Sequence, residues 1–164
     1  TRNGETIGFV ISVAAGDQVR ADMAQAAAQQ LREIGMDCTV EIPVQADWGG
    51  QMAYLIGWGS PFDADDHTYK VFGTDKGANY SGYSNEMVDR YLTQARQSAD
   101  PEIRAKAYAR FQEELAKDPA FAFICYVDAN YVADASIRGI SADTVMGHHG
   151  VGIFWNITEW TMDD

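Results

Sequence analysis

At 164 residues the chain is sized for one ordinary domain, long enough to bury roughly two thirds of the surface its unfolded form exposes. Its 46% hydrophobic and 12% aromatic content predicts a packed core and excludes a disordered chain. The 24 acidic against 12 basic side chains give a formal charge of -12, which argues against nucleic acid or anionic membrane as partner and favours cationic ligands.

The first predicted element is a short apolar strand, Ile7 to Val13, ended by Ala14-Ala-Gly16. Asp17 is placed to cap a helix running to Ile34. Its apolar positions Val19, Met23, Ala26, Ala27, Leu31 and Ile34 recur at three- and four-residue steps, and Gly35 is the expected stop. Met36 to Val44 reads as a second strand with Cys38, Val40, Ile42 and Val44 on one face. Strand, helix and strand within about forty residues predict a parallel pair with a right-handed crossover.

Next comes Ala53-Tyr-Leu-Ile-Gly-Trp-Gly-Ser-Pro-Phe-Asp-Ala-Asp-Asp66. Ala53 to Ile56 suits a strand buried on both faces, and Gly57, Gly59 and Pro61 stop it. In open α/β sheets ligands sit at the carboxyl ends of strands, where this turn delivers Trp58, Asp63, Asp65 and Asp66. An aromatic wall beside clustered carboxylates suits a cationic, partly apolar ligand, because desolvated acid groups need a positive partner and a ring face attracts one. The same residues equally fit a solvated acidic loop with a structural tryptophan, in which Asp63 caps a helix beginning near Asp65.

A short helix is predicted from Asp66 to Phe72 and a loop from Gly73 to Gly82. Asn85 caps the following helix, with Val88, Tyr91, Leu92 and Ala95 inward. Asp100-Pro101 starts a long helix to Lys117, with proline at the first helical position and Ile103, Ala107, Phe111 and Leu115 as its buried stripe. Asp118-Pro119 ends it. Phe121 to Val127, the most apolar stretch, predicts a central strand, with a second run from Tyr131 to Ile137. Arg138-Gly-Ile140 closes the regular part, and an aromatic tail follows.

Cys38 and Cys125 both sit in strand-like runs, where free cysteine behaves as a small buried hydrophobe. A disulfide between them needs matched Cα positions, so their pairing stays open. No apolar run reaches the ~18 residues of a membrane span, and Thr1 to Thr6 lack the apolar core of a signal peptide. The abrupt start in front of a strand predicts a piece of something longer.

Nucleophile-elbow, phosphate-loop, zinc-protease and dinucleotide motifs are absent, so neither catalysis nor a cofactor is expected. Asp63, Asp65, Asp66 and His67 are ordinary metal-ligand types. As a calcium loop starting at Asp63 they fail, because the sixth and twelfth positions are Thr68 and Thr74. His148 and His149 are read as structural loop residues, and no metal is expected.

Taken in order, Leu31-Arg-Glu-Ile-Gly-Met-Asp-Cys-Thr-Val-Glu41, Leu55-Ile-Gly-Trp-Gly59, Phe62-Asp-Ala-Asp-Asp66, Asn79-Tyr-Ser-Gly-Tyr-Ser-Asn85 with Val88-Asp89, and Asp100-Pro-Glu-Ile-Arg104 resemble the carboxyl-terminal lobe of the peptide/nickel/opine solute-binding proteins of ABC importers. The resemblance runs from about residue 7 to residue 160. It implies an α/β fold, a type II periplasmic-binding-protein-like lobe whose mixed, mostly parallel sheet is flanked by helices. Residues 1–144 would form the ligand-binding lobe, and residues 145–164 a return segment packing on an amino-terminal lobe.

The resemblance further implies a periplasmic or lipid-anchored protein that closes on a peptide-like solute and docks to the membrane subunits of an importer. By position Asp63 matches the aspartate that pairs with a ligand's α-amino group. Trp58, Asp65, Tyr80 and Tyr83 would line the pocket beside it. In this chain Gln45 to Gln51 make a crossing for which the family uses a longer helix and loop. The family accepts dipeptides, oligopeptides, opines, nickel chelates and sugars, so the ligand stays open. Two other classes remain at this point: a ligand-sensing domain of a transcription regulator with the same fold, and a hydrolase built on the acid cluster.

Overall fold

The computed structural model describes residues 4–45, 52–58, 63–128, 130–141 and 152–163. They form a mixed α/β chain that divides into two compact units, Thr1–Gly57 and Trp58–Asp164. Composition carries no signal for a division at Gly57. Among the described residues no helix is long and apolar enough to cross a membrane.

The first unit is a parallel βαβ arrangement. Strand β1 (Gly8–Ser12) leads to helix α1 (Gln18–Glu33), strand β2 (Asp37–Glu41) and strand β3 (Ala53–Tyr54), in the sheet order β2-β1-β3. Both pairings are parallel, with Gly8 opposite Asp37, Ser12 opposite Glu41, and Ile11 and Ser12 opposite Ala53 and Tyr54. The side chain of Asp17 caps α1 by accepting from the Arg20 amide at 2.9 Å. At the other end Gly35 has φ 87°, a left-handed conformation that glycine adopts without steric cost. The turn lets the amides of Gly35 and Met36 donate to the carbonyls of Arg32 and Leu31.

The face that α1 buries is not the one its larger apolar residues suggest. Ala21, Ala24 and Ala28 are buried, whereas Val19, Ala26 and Ile34 are exposed. Ala24 and Ala28 pack with Ile11, Val13 and Cys38, and Phe9, Ala27, Leu31 and Val40 border that core. Small side chains let a helix lie close on a sheet, and periodicity weighted by side-chain size overlooks such a face. Ala28→Leu should therefore overpack the unit and lower its unfolding free energy by about 1–3 kcal/mol. Urea denaturation measures this, and an unchanged midpoint would show that the α1 contact is loose.

Strands β2 and β3 are shorter than the sequence suggests. The last bond of the β1–β2 ladder runs from the Val13 amide to the Glu41 carbonyl, after which β2 has no partner strand among the described residues. Pro43 has no amide to donate, and Ile42 and Val44 project into solvent, Val44 at 97% exposure. Strand β3 lies at the sheet edge, and Ala53 to Ile56 are half-buried rather than buried on both faces.

The second unit is built on three capped helices: α2 (Ala64–Phe72), α3 (Glu86–Arg96) and α4 (Pro101–Lys117). Asp63, Asn85 and Asp100 each accept backbone amides of the first turn, as N-cap residues do. Val88, Leu92, Phe111 and Leu115 are buried together, bordered by Tyr69, Phe72, Tyr83, Tyr91 and Tyr108. Phe72 stands edge-on to Phe111 and to Phe121, with ring centroids 5.3 and 5.4 Å apart. Ile103, expected in the buried stripe, is exposed.

Beyond Phe121 the expected central strand does not form. Residues 122–128 belong to no strand or helix, and Phe123, Ile124 and Tyr126 are exposed. A strand requires a neighbour to complete its backbone hydrogen bonds, and the described residues supply none here. Tyr131 to Ser136 is likewise irregular. Regular structure resumes in an antiparallel pair, β4 (Ile137–Arg138) with β5 (Thr161–Met162).

A 3-10 segment, Gly152–Glu159, precedes β5, so regular structure continues past Ile140. Buried Asn156 ties this tail down, donating to the Gly139 carbonyl at 2.7 Å and accepting from the Trp160 indole at 2.9 Å. Gly139 has φ 84°, and a Cβ there would stand 2.8 Å from the Glu159 carbonyl oxygen. The two cysteines are both free, Cys38 buried and Cys125 exposed, so only Cys38 behaves as a small core hydrophobe. His148, His149 and the crossing from Ala46 to Gln51 lie outside the described residues.

Candidate functional site

All five candidate ligand residues lie in the second unit. Trp58 and Tyr80 stack nearly parallel, 6.1 Å between centroids at 12°, and His67 stands 5.7 Å from Trp58. Trp58 and Tyr80 are 36% and 43% exposed, so this aromatic pair presents ring surface to solvent. Tyr83 does not join it. Its ring borders the α3–α4 core, where burial raises the phenol pKa above its ordinary value.

Asn79 shapes the loop that carries Tyr80. Its amide nitrogen donates to the carbonyls of Gly73 and Tyr83 at 2.9 and 2.7 Å, and its side-chain oxygen accepts from the Tyr83 amide at 3.1 Å. The motif Asn79 to Asn85 was visible in the sequence, but not which residue organises it. Losing these three bonds in Asn79→Ala should cost about 1–3 kcal/mol and weaken the Trp58–Tyr80 stack. Thermal denaturation and tryptophan fluorescence would report both effects, and an unperturbed variant would contradict the assignment.

The carboxylates of the cluster each have a protein cation. One Arg104 nitrogen, Nη2, donates to both oxygens of Asp63 at 2.6 Å. Asp65 pairs with Arg96 at 3.0 Å, and Asp66 with Lys70 at 2.9 Å. The Arg96 guanidinium also lies 4.0 Å over the Tyr69 ring, a cation–π arrangement. These groups surround a shallow depression of about 390 Å³ lined by Asp63, Asp65, Asp66, Tyr69, Lys70 and Arg96. Arg96 and Arg104 were missed as site residues. Arg104 stands 41 positions from Asp63, and nothing local announces such a pairing.

Asp63 thus carries two structural duties. It caps α2 by accepting from the Asp65 amide at 2.8 Å, and it holds Arg104. Its side chain nevertheless remains 59% exposed, leaving room for a further donor. The Asp65 amide, and then Arg104, hold its carboxyl below the ordinary 3.8. Lys70 does the same for Asp66, and the Ser136 amide and hydroxyl for Asp134.

A carboxylate whose folded pKa is depressed contributes stability above its unfolded pKa and loses it as pH falls through the folded value. The second unit should therefore weaken progressively once the pH drops below about 4. Asp63→Asn, which retains a good cap residue, should flatten that acid transition. A transition of unchanged steepness in circular dichroism would show that Asp63 contributes nothing to it. Among the described residues no group of three or more His, Cys, Asp or Glu side chains is arranged to hold a metal.

The parallel βαβ sheet of the first unit and the capped helices of the second make a mixed α/β fold of the kind seen in type II periplasmic-binding-protein-like lobes. The chain matches the fold of the peptide/nickel/opine solute-binding proteins of ABC importers. It is 33% identical to Protein XP55 of Streptomyces lividans over 138 residues, which cover 80% of this chain and 26% of that protein. It is 24% identical to the oligopeptide-binding protein AppA of Bacillus subtilis over 170 aligned positions, covering 97% of this chain and 30% of AppA.

Among solved structures, NikZ from Campylobacter jejuni in complex with Ni(L-His) matches with a TM-score of 0.81 and 33% identity over 98% of this chain and 34% of NikZ. Bacillus subtilis AppA with a bound nonapeptide matches in fold with a TM-score of 0.79 at 22% identity, over all of this chain and 35% of AppA. No family model matches the chain. The chain spans between about a quarter and a third of the length of these relatives.

Proposed function

We propose that this chain is one lobe of an extracytoplasmic solute-capture protein that delivers a peptide-like or other amine-bearing solute to an ABC importer. The observation that carries the reading is the match to NikZ along 98% of the chain at 33% identity. NikZ holds a nickel–histidine complex and AppA a nonapeptide. Both ligands are built from amino-acid units, which supports a peptide-like or amino-acid-derived solute. The activity proposed is binding rather than catalysis, in a periplasmic or lipid-anchored setting.

In this reading residues 1–144 carry the ligand-binding lobe, and residues 145–164 return toward an amino-terminal lobe of the same protein. The tail offers Phe154, Ile157 and Met162 to such a partner, all more than half exposed. Trp58 and Tyr80 provide a ring face for the apolar part of the solute, and Asp65, held by Arg96, stands near Asp63, while Tyr83 packs in the α3–α4 core and has no direct part in the contact. Asp63 accepts the solute's ammonium on its exposed side while Arg104 holds the other. A cation entering between lobes loses water, and a carboxylate partner offsets that loss.

One lobe supplies half the contacts, so the isolated 164-residue chain should bind at least about 100-fold more weakly than the intact protein. Calorimetric titration with a panel of di- and oligopeptides and with nickel–histidine tests this. Equal affinity of chain and intact protein, or no binding of any panel member by the intact protein, would contradict it.

A further inference from the structure

Strand β2 bounds one side of the first unit's sheet, since the order β2-β1-β3 gives it β1 as its single neighbour among the described residues. The Asp37 amide donates to the Ile7 carbonyl, and the Glu41 carbonyl accepts from the Val13 amide. In a parallel ladder alternate residues turn their backbone groups to the same side. Asp37, Thr39 and Glu41 therefore face β1, while the amides and carbonyls of Cys38 and Val40 face the open side. Such a row is a template for a further strand. Beyond the ladder, exposed Ile42 and Val44 continue the side-chain row of Cys38 and Val40, so an added strand would also bring them an apolar neighbour.

Arg32 closes one position in that row. It lies in the last turn of α1, and across the Gly35 turn its Nη1 donates to the Cys38 carbonyl at 2.7 Å in a part-buried contact. A hydrogen bond from an ionised donor is stronger than a neutral one, so an incoming backbone amide does not displace it on equal terms. Bonded to an outward carbonyl, the guanidinium stands where an added backbone would run. The choice of partner is unusual in a chain with 24 acidic against 12 basic side chains. Arg20, Arg96, Arg104, Arg110 and Arg138 each pair with a carboxylate, whereas Arg32 gives its charge to a backbone carbonyl.

We infer that Arg32 guards the open edge of this sheet, occupying the Cys38 carbonyl that a second copy of the chain would need to add its own strand to β2. The formal charge of -12 keeps copies apart at long range, but salt screens it beyond about 8 Å at physiological ionic strength. At contact distance the protection has to be local. The role is independent of which solute the protein carries.

Arg32→Ala in the intact protein tests this, by sedimentation velocity at physiological salt and residue-resolved hydrogen exchange. The variant should self-associate at a protein concentration at least about tenfold lower than the natural sequence, as expected for one charge-assisted bond. In the associated form the amides of Cys38 and Val40, which exchange freely in the monomer, should gain protection. The amides of Thr39 and Glu41, which face β1, should change little. That alternation along β2 marks strand addition, and α1 amides should stay protected throughout.

A variant that sediments like the natural sequence at every concentration would overturn the inference. So would association that leaves Cys38 and Val40 exchanging freely, which would place the contact on another surface. Loss of protection in α1 would overturn it as well, because Arg32 would then be a tie between helix and strand that the first unit needs to fold.

Discussion

Phe111→Ala should lower the unfolding free energy of the second unit by about 3–5 kcal/mol. Phe111 is 4% exposed and packs with Val88, Leu92 and Leu115, and its ring meets the edge of Phe72 at 5.3 Å. Truncation removes the transfer free energy of a buried aromatic and leaves a cavity between α3 and α4 that their short connection lets close only partly. A domain holds about 5–15 kcal/mol in total, so this one change removes a large share. Hydrogen exchange of the α3 and α4 amides under native conditions measures it. A loss under 1 kcal/mol would show that the helices repack without Phe111, which the near-complete burial of Val88 and Leu92 argues against.

Asp63→Asn in the intact protein should weaken binding of an amine-bearing solute by about tenfold or more, because it removes the charge that meets a desolvated ammonium. The cap on α2 survives, since asparagine caps as well as aspartate. The expectation differs from that for a free carboxylate, because Arg104 already shares both Asp63 oxygens at 2.6 Å. Arg104→Gln separates the two roles. If Asp63 meets the solute, removing its competing cation should leave affinity unchanged or raise it. If Asp63 serves only to hold Arg104, both variants should weaken binding alike, and the proposed contact is wrong.

How much of this could be read from the sequence follows from how local each feature is. The three caps, Asp63, Asn85 and Asp100, act within three residues of themselves, and the sequence placed helices after all three. The βαβ unit was legible because β1, α1 and β2 each carry their own periodicity. What failed depended on distant partners. Ile42 and Val44 continue a strand pattern, but β1 ends opposite Glu41, and the pattern alone cannot show where a neighbour stops.

Phe121 to Val127 has strand composition without a strand partner among the described residues. The alanine face of α1 was hidden because small residues weigh little in an apolar count.

The candidate site divides in the same way. Trp58, Asp63 and the Asn79–Asn85 loop were marked by the turn and by the order of motifs, and Trp58 and Tyr80 do meet. The charge balance was not legible. The acid cluster invited a cationic ligand, yet Arg104, Arg96 and Lys70 already serve its three carboxylates. Only Lys70 lies within one helical turn of its partner. A deficit of positive charge over the whole chain therefore says little about any one carboxylate.

We propose that a solute binds against this lobe at the Trp58–Tyr80 face and the Asp63 turn. Hydrogen exchange of the intact protein with and without saturating solute tests it most directly. Exchange in residues 63–68 and 79–84 should slow on binding, with the outer α4 amides around Lys106 and Arg110 unchanged. Solute binding that leaves both segments exchanging as before would contradict it.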